Sequence, residues 1–196
     1  MAGERRRGAV SRSTKETAIE LSVDLDGGAS EIATSIDFLD HMLGAFATHA
    51  GCGLRVRASG DGMDNHHVIE DVGIALGKAM HDALAEKRGI ARFGSAMVPL
   101  DEALIAAAVD ISGRPYLNFR VSFARQDLGQ MPTEMIGEFF RAVTDNAKIT
   151  VHLIQMHGNV AHHVCEATFK AFAVAFRQAV ATTGTSDVPS TKGLLE

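Results

Sequence analysis

Residues 64–71 read DNHHVIED, two adjacent histidines followed by two acids, and NVAHHVCEATFKAF, from Asn159, repeats the His-His-x-x-Glu spacing. On a helix, residues four apart share a face, whereas neighbours diverge by about 100°. His66 and Glu70 can therefore meet one ion together while His67 turns away. His162, Glu166 and His163 repeat that arrangement. The two helices offer four imidazoles and two carboxylates, enough for two half-built sites that need more ligands. His41, in LDHML, is a candidate from a preceding helix, and Glu138, in IGEFF, holds the matching place in the second half. Mixed imidazole and carboxylate donors suit a borderline or hard divalent ion such as manganese, iron or zinc. One HHxxE is explained as well by surface residues; two copies at equivalent places favour metal. Cys52 and Cys165 lack CxxC spacing and fit reduced thiols of a cytoplasmic protein, with Cys165 a helix-packing residue. His81, His152 and His157 have no such partners and read as packing, surface or loop residues.

The elements that must position these groups follow from periodicity. TAIELSVDL alternates, with Ile19, Leu21, Val23 and Leu25 on one face, and predicts a half-buried strand. SEIATSI predicts a second strand, and Asp37 can cap a helix through FLDHMLGAFATHA that stops at Gly51. GLRVRAS alternates again, and a polar loop leads into a helix from about His66 to Lys87. The second half repeats the order. Strands over DEALIAAAVDIS and YLNFRVSFA precede a helix capped by Thr133, then a strand over KITVHLIQ and a helix from about His162 to Ala181. Each half is strand, strand, helix, strand, helix, an internal duplication of α+β class. The divisions expected are a disordered basic tail at 1–13, half-repeats at 14–95 and 96–182, and a C-terminal tail at 183–196.

The 196 residues are 46% hydrophobic and 22% charged, which supports a packed core and excludes global disorder. A net charge of −5 disfavours a nucleic-acid partner. Arg5, Arg6, Arg7 and Arg12 form the one dense basic run, read as a solvated tail; no apolar stretch follows it, so it is not a signal peptide. No apolar run approaches a membrane span, so a soluble, cytoplasmic chain is expected, with no membrane or nucleic-acid partner.

FLDHML, DNHHVIED, PLDEAL, SGRPY, HHVCEATFKAF and STKG stand in an order that resembles the imidazoleglycerol-phosphate dehydratases of histidine biosynthesis, from about Thr14 to Gly193. The resemblance implies two four-stranded sheets with the helices packed between them. It implies a lyase that dehydrates D-erythro-imidazole glycerol phosphate to imidazole acetol phosphate. The proton removed is not beside a carbonyl, so the substrate's imidazole must carry the charge, and a dinuclear-metal imidazolate mechanism with two Mn2+ per subunit is implied. The ligands map onto His41, His66, His67, Glu70, His162, His163 and Glu166. Many members carry histidine where this chain has Glu138, whose carboxylate can replace it at manganese. Thr191 stands where serine is common.

By the same resemblance Glu16, in STKET, belongs at the substrate and in proton transfer, contributed by a neighbouring subunit. Glu166 shares the catalytic assignment. His49, two helical turns after His41, is a further proton-transfer candidate. Arg92, Arg114, Ser190 and Lys192 match phosphate-binding positions, and Lys170, four residues after Glu166, reaches the same pocket. The tail is expected to order over the ligand, and the assembly to be a 24-mer built from trimers. The rival reading is a non-enzymatic metal-storage or metal-sensing protein. Against it, ferritin-like bundles use Glu-x-x-His on long helices, while this chain has strands between its helices.

Overall fold

The computed structural model describes residues 5–195. β1 (Arg7–Ser13) and β2 (Thr17–Asp24) form an antiparallel hairpin. With β3 (Glu31–Ala33) and β4 (Gly53–Gly60) they make a sheet in the order β1-β2-β4-β3, in which β3 runs parallel to β4. Helix α1 (Asp37–Ala50) precedes β4, and α2 (Asn65–Leu84) follows it. The second half repeats this with β5 (Phe93–Leu100), β6 (Ala103–Asp110), β7 (Tyr116–Arg120), α3 (Glu134–Ala147), β10 (Thr150–His157) and α4 (Ala161–Ala179). Its sheet order is β5-β6-β10-β7, again with one parallel pair, β7 and β10. Between β7 and α3 it carries an extra hairpin, β8 (Asp127–Leu128) with β9 (Met131–Pro132). The class is α+β, duplicated, with the helices between the sheets.

Each four-stranded sheet therefore has one strand more than the periodicity of its half predicts, and the second half carries the β8–β9 hairpin besides. The expected disordered tail is corrected from Arg7 onward; residues 1–4 of that tail lie outside the described residues. β1 is an edge strand with one fully buried residue, Gly8, so it lacks the apolar alternation that reveals a strand. Its arginines are not free in solvent. Arg7 pairs with Asp24, Arg6 with Asp26, and Arg12 with Asp71. β5 lacks the alternation because it is apolar on both faces, Phe93 and Met97 outward and Val98 and Leu100 against the core, so the second half begins at Phe93 instead of 96. One capping expectation fails and the other holds in position only. Ile36 is the N-cap of α1 and Asp37 its first helical residue, while Thr133 is the N-cap of α3 but its hydroxyl donates to the Arg125 and Gln126 carbonyls instead of bonding the helix. β7 stops at Arg120, short of the predicted Ala124, and beyond it the Ser122 N–H goes to the Gln155 side chain at 2.9 Å.

The core lies between the sheets. α2 packs on β1 and β2, and α4 on β5 and β6. Across the duplication, α1 packs on α4 and α2 on α3. Phe46 stacks on Phe172 with ring centroids 5.6 Å apart, and Phe140 meets Phe169 at 4.8 Å. Each such buried ring contributes about 1.5–3 kcal/mol. Cys52 and Cys165 are buried and unpaired, and burial pushes both thiols up, Cys52 to about 11. Their role is packing.

Gly8 and Gly94, each the second residue of its edge strand, let strand and helix touch. A Cβ on Gly8 would overlap the Ala79 carbonyl of α2, and one on Gly94 the Ala175 carbonyl of α4. Gly94→Ala is expected to destabilise the fold by about 1–3 kcal/mol or more, because backbone must move. Gly44→Ala, in α1 with open space at its Cβ, should stabilise by about 0.5–1 kcal/mol. Urea midpoints shifting in opposite directions would verify the pair.

Candidate metal centre

The crosswise pairing of helices builds the clearest site. His41 is the fifth residue of α1, and His162 and Glu166 are the second and sixth of α4. One ligand atom from each lies within 4.8 Å of the others, the one such group of three among the described residues. His162 Nε2 stands 3.2 Å from Glu166 Oε2, and His41 Nε2 stands 3.4 Å from the same oxygen. Phe38 sets its ring edge-on to His162 at 5.2 Å and forms one wall. The second carboxylate oxygen of Glu166 receives Lys170 Nζ at 2.7 Å. Burial alone would raise the Glu166 carboxyl, but the hydrogen bond and charge of Lys170, with His41 and His162 beside it, outweigh that and hold it below its ordinary value. An ionised carboxylate and two outward imidazoles are donors that fit a divalent cation of the manganese, iron or zinc type.

The counterpart on the other helix pair is looser. His66 Nε2 lies 3.6 Å from Glu70 Oε2 on α2. Glu138 is the fifth residue of α3, which packs on α2, so it corresponds to His41 in position. Its carboxylate receives Arg141 Nε at 3.2 Å, and it joins no three-ligand group among the described residues.

The second histidine of each pair turns toward the hairpin of its own half. His67 Nδ1 lies 3.8 Å from Glu16 and 3.8 Å from Asp61, and it is sealed from solvent without a hydrogen bond. His163 Nδ1 lies 2.7 Å from Glu102 Oε2, a full hydrogen bond. That bond, followed by the Val160 and Asn159 backbone donors, pulls Glu102 down to about 2, and it raises His163 above its ordinary value. Glu102 and Asp61 escaped the reading of single residues. Glu102 was legible through the duplication, since it directly precedes β6 as Glu16 directly precedes β2.

Asp71, the last acid of DNHHVIED, was also missed as a functional support. It is buried, and it receives Arg12 Nε at 2.9 Å and the Thr17 hydroxyl. These bonds tie the β1–β2 turn, and Glu16 on it, down onto α2.

The residues expected at a phosphate divide into two places. Lys170 is at the three-ligand cluster. Arg92 donates to both oxygens of Asp110, at 2.8 and 3.3 Å, and to the Pro189 carbonyl at 2.9 Å. Its backbone N–H meets the Ala179 carbonyl at the far end of α4. Arg114 follows β6 at the same end, bonded to the Ser112 carbonyl at 3.4 Å. Ser190 Oγ accepts the Lys192 backbone N–H at 3.2 Å. Thirteen residues of helix separate Glu166 from Ala179, which is about 20 Å. Within one chain, Arg92 and the tail do not reach the metal cluster. His49 is eight residues beyond His41 on α1, about 12 Å along the axis, too far for proton transfer at that cluster.

A family profile described as imidazoleglycerol-phosphate dehydratase matches residues 34–176. A protein of that name from Acidiphilium cryptum is 52% identical over 194 residues, covering 97% of this chain and 99% of the relative. Another, from Chlorobium chlorochromatii, is 49% identical over 197 residues with 100% of both chains covered. The fold is similar to the crystal structure of the Staphylococcus aureus enzyme, with TM-score 0.84 and 39% identity over 90% of this chain and 99% of that one. It is also similar to the Pyrococcus furiosus structure, with TM-score 0.82 and 40% identity over 95% and 100% of the two chains.

Proposed function

The chain belongs to the imidazoleglycerol-phosphate dehydratase family of histidine-biosynthetic hydro-lyases, and on that premise we propose that it dehydrates D-erythro-imidazole glycerol phosphate with two divalent ions, manganese foremost. Membership sets aside the metal-storage reading. The observation that carries the proposal is the convergence of His41, His162 and Glu166 from opposite halves of the chain. These three residues hold one ion, with Glu138, His66 and Glu70 as the corresponding set on the other helix pair. His67 and His163 complete the ligand sets. When bound, the ions act as Lewis acids on the substrate's imidazole ring and orient it.

The remaining steps fall to side chains. Lys170 keeps Glu166 ionised and adds a cation beside the bound substrate. Glu16, with an exposed carboxylate on the turn held by Asp71, takes or returns a proton at the substrate carbon through its Oε2. Arg92, Arg114, Ser190 and Lys192 bind the phosphate. Because these groups lie about 20 Å along α4 from Glu166, one substrate needs the metal cluster of one subunit and the phosphate groups of another. That separation supports a homo-oligomer with shared sites, and we assign the 24-subunit shell to it. No helix among the described residues is long and apolar enough to cross a membrane; the cytoplasmic location we assign rests on the biosynthetic family.

The direct test is turnover of the substrate by purified protein with Mn2+. In the same assay Lys192→Ala is expected to raise KM about tenfold to a hundredfold, the worth of a charged contact of about 1.5–3 kcal/mol. Arg5→Ala should leave KM unchanged, since Arg5 serves Asp24 and the Gly27 carbonyl. No turnover would overturn the assignment, and equal KM values for the two variants would remove the tail from phosphate binding.

A further inference from the structure

The two halves put a glutamate at the same place and use it differently. Glu16 and Glu102 each stand one residue before the second strand of their hairpin, facing the third residue of α2 and α4, His67 and His163. Glu16 stays 3.8 Å from His67 Nδ1, beyond hydrogen-bond distance, and its side chain is 57% exposed. Glu102 is held from several directions. Its Oε2 meets His163 Nδ1 at 2.7 Å, and its Oε1 accepts the Val160 N–H at 2.9 Å and the Asn159 N–H at 3.3 Å. Its own carbonyl accepts from His157 Nδ1 at 2.9 Å.

A carboxylate whose other oxygen already accepts two N–H groups can only accept from the imidazole. The proton of a neutral His163 ring then resides on Nδ1, which leaves the Nε2 lone pair for an ion, with the exposed Asp101 carboxylate 3.8 Å away, beyond hydrogen-bond distance. We infer that Glu102 is a positioning residue for metal binding: it fixes the tautomer and ring plane of His163 and joins that ring to the start of α4, while its duplicate Glu16 is left free for the substrate. Duplication supplied two equivalent carboxylates, and their distances to histidine separated the roles. The inference rests on the metal reading proposed above and adds that His163 is set before the ion arrives.

The experiment is calorimetric titration of the metal-stripped protein with Mn2+, together with 15N spectra of histidine-labelled, metal-free protein. Glu102→Ala is expected to weaken one class of Mn2+ site about 10–100-fold, the usual cost of losing a partner behind a ligand. It should also move the His163 signals away from the Nδ1–H pattern. Because Glu102 also accepts the Asn159 and Val160 N–H groups ahead of α4, the control is Glu102→Gln, whose amide oxygen can keep those two bonds while its amide N–H faces His163 Nδ1 and puts the ring proton on Nε2. It should keep the wild-type melting temperature and still lose Mn2+ affinity. Wild-type affinity and an unchanged tautomer in Glu102→Ala would overturn the inference. So would wild-type affinity in Glu102→Gln, which would make Glu102 only an anchor for the start of α4. Wild-type protein that binds no Mn2+ would sink the metal reading itself, and this inference with it.

Discussion

His162→Ala will lower kcat/KM by roughly a thousandfold or more, a loss of about 4 kcal/mol of transition-state stabilisation, while the fold survives. The cause is geometric. His162 is one of three donors gathered within 4.8 Å, and an ion left with two of them loses both affinity and orientation. Nothing in the core depends on this imidazole. Its side chain is 48% exposed, so its removal should change stability by no more than about 0.5 kcal/mol. The same collapse of activity is expected of His67→Ala and His163→Ala, whose rings diverge from their neighbours and complete the other ligand positions. His81→Ala, near the end of α2, is the control and should stay active. The measurement is steady-state kinetics in Mn2+ beside bound-metal analysis and a urea curve for each variant. Full activity in His162→Ala with both ions bound would remove this residue from the ligand set.

Stripping the metal is the second large effect: a chelator should split the proposed shell into smaller species, trimers foremost, and Mn2+ at neutral pH should rebuild it. If ligands come from more than one subunit, the ion links chains and stabilises the assembled state by mass action. The charges left behind differ between the two helix pairs. Glu166 keeps Lys170 at 2.7 Å, so the α1–α4 cluster is already compensated when empty. Among the described residues Glu70 has His66 alone, at 3.6 Å, and Glu138 has an exposed Arg141. Repulsion on metal loss should therefore concentrate at the α2–α3 pair. Adding Glu70→Gln to stripped protein should then ease reassembly more than Glu166→Gln does. Sedimentation velocity with and without chelator reads all of this. A large particle that persists after elemental analysis shows no metal would mean that other contacts hold the shell.

The sequence alone determined whatever depends on local periodicity and on the duplication. The alternation through Ala103, Ile105, Ala107 and Val109 set the buried face of β6, and both His-His-x-x-Glu segments opened helices as their spacing requires. Matching Glu138 to His41 by position also held, since each is the fifth residue of its helix. The edge strands β1 and β5 were not legible, because β1 buries only Gly8 and β5 is apolar on both faces, so neither alternates in sequence. Only the tertiary structure decided which helix faces which. His41 meets His162 and Glu166 of the opposite half, since Phe46 stacks on Phe172, while Gly73 and Gly77 let α3 close on α2. Tertiary packing also decided that Glu102 reaches its histidine and Glu16 does not. A helix face is fixed by 3.6 residues per turn within a few neighbours, but the partner of that face is fixed by shape across more than a hundred residues of chain, where spacing carries no information.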